Sequence, residues 1–242
     1  MKAPTLSIPR FAPLMDMSLK FDGVDDIVTA PTPQDWTGSD GFTVTFWADL
    51  AEIEAGVSAG ILGIAGAGGD GAFWAIDAAF RLHAYFNHVE NVLPLDAWGR
   101  GWVYVATIYD AMRMSLTTFV GRGDLSDTVY LSSPSKLPTN GNITIGHAGT
   151  DAYPHFRGRI SRISLFKVAL RARDAIAARY DMQFGAEVRM RPDLVGSWRL
   201  NEGYGTIAFD YASAEGCNGI LGGGEPAAEP AWVIGRPPVG HR

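Results

Sequence analysis

The stretch FTVTFWADL, residues 42–50, carries large apolar side chains at every second position, with Phe42, Val44 and Phe46 separated by threonines. A period of two places these three side chains on one face of a β-strand. The threonine and aromatic content also favours a strand over a helix. Such a strand must bury its apolar face, so the segment predicts a sheet with a second layer packed against it.

Similar short segments recur along the chain between Gly, Pro, Asn and Asp residues, which are typical of turns. They are SLKF (18–21), DIVTA (26–30), GILGIA (60–65), AFWAID (72–77), RLHAYF (81–86), WVYVATIYD (102–110), SLTTFV (115–120), ITIGHA (143–148) and GRISRISLF (158–166). One helix is predicted over residues 169–181, with an apolar stripe formed by Leu170, Ile176, Ala177 and Tyr180. The pattern therefore predicts an all-β protein, a two-sheet antiparallel sandwich with one short helix.

Several of these segments resemble one known family in sequence and in order. LKFDGVDDIV, FTVTFWADL, WGRGWVYVATIYD, ITIGHA and FRGRISRISLFKVALRARDAIAARY resemble the laminin G-like, concanavalin A-like jelly-roll domains, over residues 18–181. The resemblance implies a jelly-roll sandwich. It does not fix a function, because this fold carries lectins, hydrolase appendages and structural proteins.

Residues 193–221, DLVGSWRLNEGYGTIAFDYASAEGCNGIL, resemble the block that usually opens such a domain, although here the block follows the helix. It either closes the same sandwich, begins a second copy, or joins a neighbouring subunit. We expect closure, since an isolated hairpin is barely stable in water. The predicted organisation is an extended arm (1–17), one sandwich (18–234, with closing strands in 193–234) and a tail (235–242).

Composition limits the function classes. The hydrophobic fraction of 47% supports a sizeable core, and the formal net charge of −6 argues against a nucleic-acid partner. Cys217 is the single cysteine, so no intrachain disulfide can form. Prolines at positions 4, 9 and 13 favour an extended arm and interrupt any signal-peptide core, and no apolar run is long enough for membrane insertion.

The segment FDGVDD, residues 21–26, concentrates carboxylates. The first interpretation is a tight turn, in which Gly23 adopts positive φ and the aspartates accept hydrogen bonds from local amides. The alternative is a structural calcium ion, which needs several oxygen ligands. Its ligands would be Asp22, Asp25 and Asp26, joined by Asp210 if the C-terminal block folds alongside as the resemblance implies.

Aromatic side chains near loops are the candidates for sugar binding, because an aromatic ring can pack on the apolar face of a sugar. Those predicted to bind ligand are Trp74, Tyr85, His88, Tyr153 and His155. The strand pattern assigns Phe46, Trp98, Trp102 and Tyr104 to the core instead.

Catalytic patterns are weak. Glu52 and Glu54 have the alternating spacing that glycosidases on related sandwiches use, but a third carboxylate does not follow and Ala55-Gly56 break the strand, so a loop is favoured. No G-x-S-x-G segment is present to position a nucleophilic serine. We therefore expect a protein that is not an enzyme.

The leading hypothesis is a jelly-roll component of a phage or gene-transfer-agent particle, acting as head spike, fibre or decoration protein in attachment to cell-surface carbohydrate. It predicts a virion location and a homo-oligomer, with the arm contacting other particle subunits. The first alternative is a secreted or surface lectin-like carbohydrate-binding module. The second alternative is a glycoside hydrolase on the same fold.

Overall fold

The computed structural model describes residues 17–33, 36, 41–65, 71–96, 99–121, 125–136, 141–184, 192–212, 216–235 and 237, without the side chains of 179–184. These residues form sixteen β-strands and one α-helix. The strands are β1 (Met17–Asp22), β2 (Val28–Pro31), β3 (Gly41–Asp49), β4 (Ala59–Ala65), β5 (Gly71–Ile76), β6 (Arg81–Phe86), β7 (Val89–Pro94), β8 (Trp102–Asp110), β9 (Ser115–Val120), β10 (Leu125–Tyr130), β11 (Asn142–Ile145), β12 (Arg157–Phe166), β13 (Leu194–Trp198), β14 (Ile207–Ala208), β15 (Gly219–Leu221) and β16 (Ala231–Ile234). The helix α1 is Ala172–Phe184, between β12 and β13.

The strands form two antiparallel sheets of eight strands each. The first sheet has the order β10-β9-β8-β3-β12-β1-β16, with β13 also paired to β12. The second sheet has the order β14-β15-β2-β11-β4-β5-β6-β7. The predicted all-β, two-sheet antiparallel jelly roll with one helix is confirmed.

The C-terminal block contributes strands to both sheets. β13 pairs with β12 and β16 pairs with β1 in the first sheet, while β15 pairs with β2 in the second. Residues 194–234 therefore complete the same sandwich as the strands that precede the helix. Of the predicted arm, residues 1–17, the first sixteen lie outside the described residues, and Met17 belongs to β1.

The main core lies between the two sheets and takes every second side chain of their strands. On β3 it receives Phe42, Val44 and Phe46, which are at most 1% exposed. Trp198 on β13 is fully buried and donates its indole N–H to the carbonyl oxygen of Cys217 at 2.9 Å. The C-terminal block is thus part of the core as well as of the sheets.

A second, smaller core lies between the outer face of the first sheet and α1. Trp47 and Tyr104 pack there with their ring centroids 5.3 Å apart, and Phe166 is 2% exposed. Thr43, on the same face, donates from Oγ1 to the carbonyl of Val168 at 2.9 Å. This face is closed to solvent although three of its four side chains on β3, those of Thr43, Thr45 and Asp49, are polar.

The helix begins three residues later than predicted, and its buried stripe differs in part: Leu170 is buried just before the helix, and the side chain of Tyr180 lies outside the described part of the chain. Ala175 and Ala178 are buried against the sheet, whereas Ala177 is exposed and Ile176 half-buried. The small alanines let the helix backbone approach the sheet, where Tyr104 donates its hydroxyl to the carbonyl of Ala175 at 2.7 Å. Within the described residues, no helix has the length and apolar content needed to cross a membrane.

Candidate functional site

The outer face of β5, β6 and β7 carries aromatic and charged side chains that no helix covers in the described chain. We call this surface the open face. Alternation sends Trp74 and Ile76 of β5 into the core and leaves Phe73 outside. On β6 the core takes Leu82, Ala84 and Phe86, so Arg81, His83 and Tyr85 project outward.

Three aromatic rings form the centre of the open face. Phe73 and Tyr85 are cross-strand partners, and their rings stack at 4.7 Å with an interplanar angle of 12°. Tyr153 contacts Phe73 at 5.5 Å and the His83 ring at 6.0 Å. All three are half-buried, so their rings are held in place and still partly face solvent.

A network of charged groups lies next to these rings. His83 is 8% exposed and sits between two carboxylates, with Nε2 3.0 Å from Asp77 Oδ2 and Nδ1 2.9 Å from Glu90 Oε1. Arg81 donates from Nε to Asp77 Oδ2 at 2.7 Å. Burial alone raises the pKa of Asp77, but the hydrogen bonds from Arg81 and His83 outweigh it and hold this pKa well below its ordinary value.

The turn between β6 and β7 positions His88 at the edge of the open face. Asn87 and His88 both have positive φ, +41° and +73°, which suits a two-residue hairpin turn. The Asn87 side chain accepts a hydrogen bond from the Gly71 amide at 3.0 Å. As a result, His88 Nδ1 lies 3.3 Å from the Tyr85 hydroxyl.

The loop 146–156 brings Tyr153 onto the open face by crossing the outside of β4. The Gly60 amide donates to the carbonyl of Pro154 at 2.7 Å. A Cβ on Gly60 would stand 2.4 Å from the Ala148 amide nitrogen, and one on Gly63 would stand 2.6 Å from the Ala148 carbonyl. Only glycine at these two positions allows the loop to approach this closely.

Three of the five residues predicted to bind ligand lie together on the open face: Tyr85, His88 and Tyr153. Their role in binding stays a prediction. His155 lies elsewhere, since its ring stacks on that of His147 at 4.5 Å.

The prediction that Trp74 lies at a loop and faces ligand is wrong. Trp74 belongs to β5, is fully buried, and donates its indole N–H to Thr107 Oγ1 of the opposite sheet at 2.8 Å. A buried tryptophan usually finds such a partner, and the sequence alone does not show that Thr107 faces this indole. Phe73, its neighbour, is the β5 aromatic residue that points outward.

Sequence reasoning did not select Phe73, Asp77, His83 or Glu90. The strand β7, which carries Glu90, was also not predicted, because the segment VENVLP follows an Asn-His turn and contains a proline. Alternation within RLHAYF could have placed His83 and Tyr85 on one face. The contact from Asp77 to His83 required the strand pairing.

The acidic segment at residues 22–26 forms the predicted turn. Gly23 has φ +83°, the Val24 amide donates to Asp22 Oδ1 at 2.8 Å, and the Asp22 amide donates to Asp26 Oδ2 at 2.8 Å. Carboxylate oxygens of Asp22, Asp25 and Asp26 lie within 4.8 Å of one another. Burial and then the neighbouring carboxylates raise the pKa of Asp26, against the hydrogen bond from the Asp22 amide.

These three carboxylates are hard oxygen donors that fit Ca²⁺, which takes six to eight oxygens in all. Calcium binding stays a prediction. The inclusion of Asp210 is corrected, because it does not belong to this cluster. Its Oδ1 accepts hydrogen bonds from the amides of Ser197 and Ala212, at 2.8 and 2.9 Å, which fixes the β13 end of the C-terminal block.

The two glutamates with glycosidase-like spacing lie in the connection between β3 and β4, as the loop interpretation predicted. Glu52 pairs with Lys20 at 2.8 Å, and Glu54 pairs with Arg157 at 2.9 Å. Ile53 between them is 2% exposed and packs in the main core. Each glutamate is therefore held by its own cation.

The sequence matches no protein-family model and no curated protein. Among solved structures, the chain is similar to a candidate carbohydrate binding protein from Bacteroides ovatus ATCC 8483, with a TM-score of 0.63 and 16% identity. That match covers 94% of this chain and 62% of the Bacteroides protein, so the chain spans less than two thirds of its length.

Two further structures have the same fold. A native heptameric SAP-like pentraxin from Limulus polyphemus matches with a TM-score of 0.53 and 11% identity, over 69% of this chain and 83% of the pentraxin. Domains LG4-5 of the mouse laminin α1 chain match with a TM-score of 0.51 and 15% identity, over 71% of this chain and 48% of that chain. The chain thus has the laminin G-like, concanavalin A-like jelly-roll fold, as predicted.

Proposed function

We propose that this protein is a non-enzymatic carbohydrate-binding module and that the open face is its binding surface. The observation that carries the proposal is the group of three half-buried rings, Phe73, Tyr85 and Tyr153, beside a fixed network of charged groups. Aromatic rings supply apolar contact for a sugar ring, and nearby polar groups fix its hydroxyls. A solved structure of the same fold is described as a candidate carbohydrate binding protein, which supports the proposal.

The test is binding to a polysaccharide array with two matched tyrosine variants. Tyr85→Ala removes a ring of the open face, and Tyr130→Ala removes a tyrosine on β10 that is 72% exposed. We expect Tyr85→Ala to weaken binding at least about tenfold, a loss of roughly 1.4 kcal/mol. Tyr130→Ala should bind like the wild-type protein.

Two results would overturn this assignment. One is a wild-type protein that binds no polysaccharide with or without calcium, and the other is equal binding by both tyrosine variants. Incubation with a bound polysaccharide also tests the glycoside hydrolase alternative, since catalysis would release new reducing ends. We expect none, because Oδ2 of Asp77 is held by Arg81 and His83 and Oδ1 by two backbone amides, which leaves Asp77 no free oxygen for a catalytic role.

The more specific role, attachment of a phage or gene-transfer particle to cell-surface carbohydrate, is part of the same proposal. Its support is the proline-rich segment 1–17, which suits an extended arm that docks on other subunits. It predicts that the full chain forms a homo-oligomer and co-purifies with particles, and that the arm is needed for both. An arm-deleted chain that still assembles would contradict this role while leaving carbohydrate binding intact.

A further inference from the structure

The two carboxylates of the open face, Asp77 and Glu90, differ in how many of their oxygens already have partners. Asp77 is saturated, since Oδ2 contacts Arg81 and His83 and Oδ1 accepts the amides of Ala79 and Arg81 at 3.0 and 2.9 Å. Glu90 contacts His83 through Oε1, and its side chain is 34% exposed.

The Arg81 guanidinium and the His83 ring are already engaged by these two carboxylates. Arg81 forms its ion pair with Asp77, and His83 is enclosed between Asp77 and Glu90. Among the described residues, no hydrogen bond to Glu90 Oε2 is present. Glu90 therefore offers a ligand an acceptor oxygen that carries negative charge.

The effect of this charge is visible at the neighbouring tyrosine. Burial first, and then the charges of Glu90 and Asp77, raise the pKa of Tyr153, while Arg81 opposes them. At the Tyr153 hydroxyl the charges of Glu90 and Asp77 therefore outweigh that of Arg81. The whole chain, with a formal net charge of −6, adds no attraction for an anion.

We propose that the open face binds uncharged glycans, whose hydroxyls donate to Glu90 and whose apolar side packs on Tyr85, and that it discriminates against uronate, sialate and sulfate groups. A neutral sugar hydroxyl makes a charge-assisted hydrogen bond with Glu90. A sugar carboxylate at the same place meets the like charge of Glu90, while the Arg81 guanidinium is already paired with Asp77. This inference rests on the proposed carbohydrate binding.

The experiment uses the full chain and pairs of polysaccharides that differ only in charge. Glucan, mannan and galactan are immobilised, each beside its C6-oxidised uronate form, and binding is measured for wild-type protein, Glu90→Gln and Glu54→Gln. The control residue Glu54 lies in the β3–β4 connection and pairs with Arg157. Thermal unfolding of each variant confirms that it is folded.

We expect the wild-type protein to bind a neutral polysaccharide at least tenfold more tightly than its oxidised form. Glu90→Gln should narrow this ratio severalfold, and Glu54→Gln should leave it unchanged. Tighter binding of any oxidised form by the wild-type protein, or an unchanged ratio in Glu90→Gln, would overturn the inference and leave carbohydrate binding standing. Absence of binding to both forms of all three would instead overturn the proposed function.

Discussion

The two sheets of this sandwich differ in what lies on their outer faces. The first sheet has Trp47, Tyr104 and Phe166 on its outer side, and α1 covers them to form a second core. The second sheet has Phe73 and Tyr85 on its outer side, and the loop 146–156 covers only the part over β4. Both outer faces carry aromatic side chains. Those of the first sheet are buried under α1, whereas those of the second sheet stay partly exposed to solvent.

The difference shows that an aromatic side chain on an outer face does not by itself mark a binding surface. On the covered face the polar groups serve the cover, as Thr43 and Tyr104 bond to the backbone before and within α1. On the open face the polar groups bond to one another, from Arg81 through Asp77 and His83 to Glu90. A fixed polar network beside half-exposed rings is what a ligand surface requires.

The largest expected effect comes from truncating the covered face. Phe166→Ala leaves a cavity under α1 and should lower the free energy of unfolding by about 3–5 kcal/mol. Phe73→Ala on the open face should cost clearly less, because that ring is half-buried. Urea unfolding of both variants measures these free energies. Equal losses of stability would contradict the view that one face is a closed core and the other is partly open.

The network of the open face should show itself in the pH dependence of stability. Because the folded state lowers the pKa of Asp77, the ionised form stabilises the fold at pH values above its ordinary pKa of 3.8. Asp77→Asn should cost about 1–3 kcal/mol at neutral pH, since Arg81 and His83 lose their charged partner. The difference in free energy of unfolding between this variant and the wild-type protein should shrink as the pH falls below 3.8. A gap that stays constant down to acid pH would contradict the role of the network.

The acidic turn provides a test at the rim, away from both faces. If Asp22, Asp25 and Asp26 bind calcium, the ion should stabilise the fold by about 1.4 kcal/mol at ten times the dissociation constant. Thermal unfolding with calcium and with a chelator measures this shift. Asp25→Asn should abolish this shift. If calcium does not change the unfolding temperature of the wild-type protein, the segment is a turn and not a calcium site.

The smallest expected effect concerns one hydrogen bond under α1. Tyr104→Phe removes the bond to the Ala175 carbonyl and should lower stability by about 0.5–1.5 kcal/mol without changing carbohydrate binding. Tyr130→Phe, at a 72% exposed tyrosine, should be neutral. Urea unfolding compares the stability of the two variants. Equal free energies of unfolding would show that the packing of α1 does not depend on this hydrogen bond.

Much of the site lay beyond sequence reasoning, for reasons visible in particular residues. Tyr85 and Tyr153 could be selected, because an aromatic residue near a turn is a reasonable candidate for contact with ligand. Trp74 looked equivalent and is buried, because alternation gives two faces and does not say which one faces the core. His83 belongs to the site because it contacts Asp77 and Glu90. These three residues lie on three different segments of the chain, which strand pairing brings together.

The sandwich follows from local sequence patterns alone. A period of two in segments such as FTVTFWADL forces each strand to bury one face, and ten such segments with one helix allow few other architectures. The same patterns do not show whether the opposite face of each sheet is covered or exposed. All nine residues of β3 are buried, threonines included, because α1 packs on the first sheet, while Phe73 and Tyr85 stay half-exposed because no helix packs on theirs in the described chain. Whether a distant segment covers a face depends on long-range packing, which local alternation does not encode.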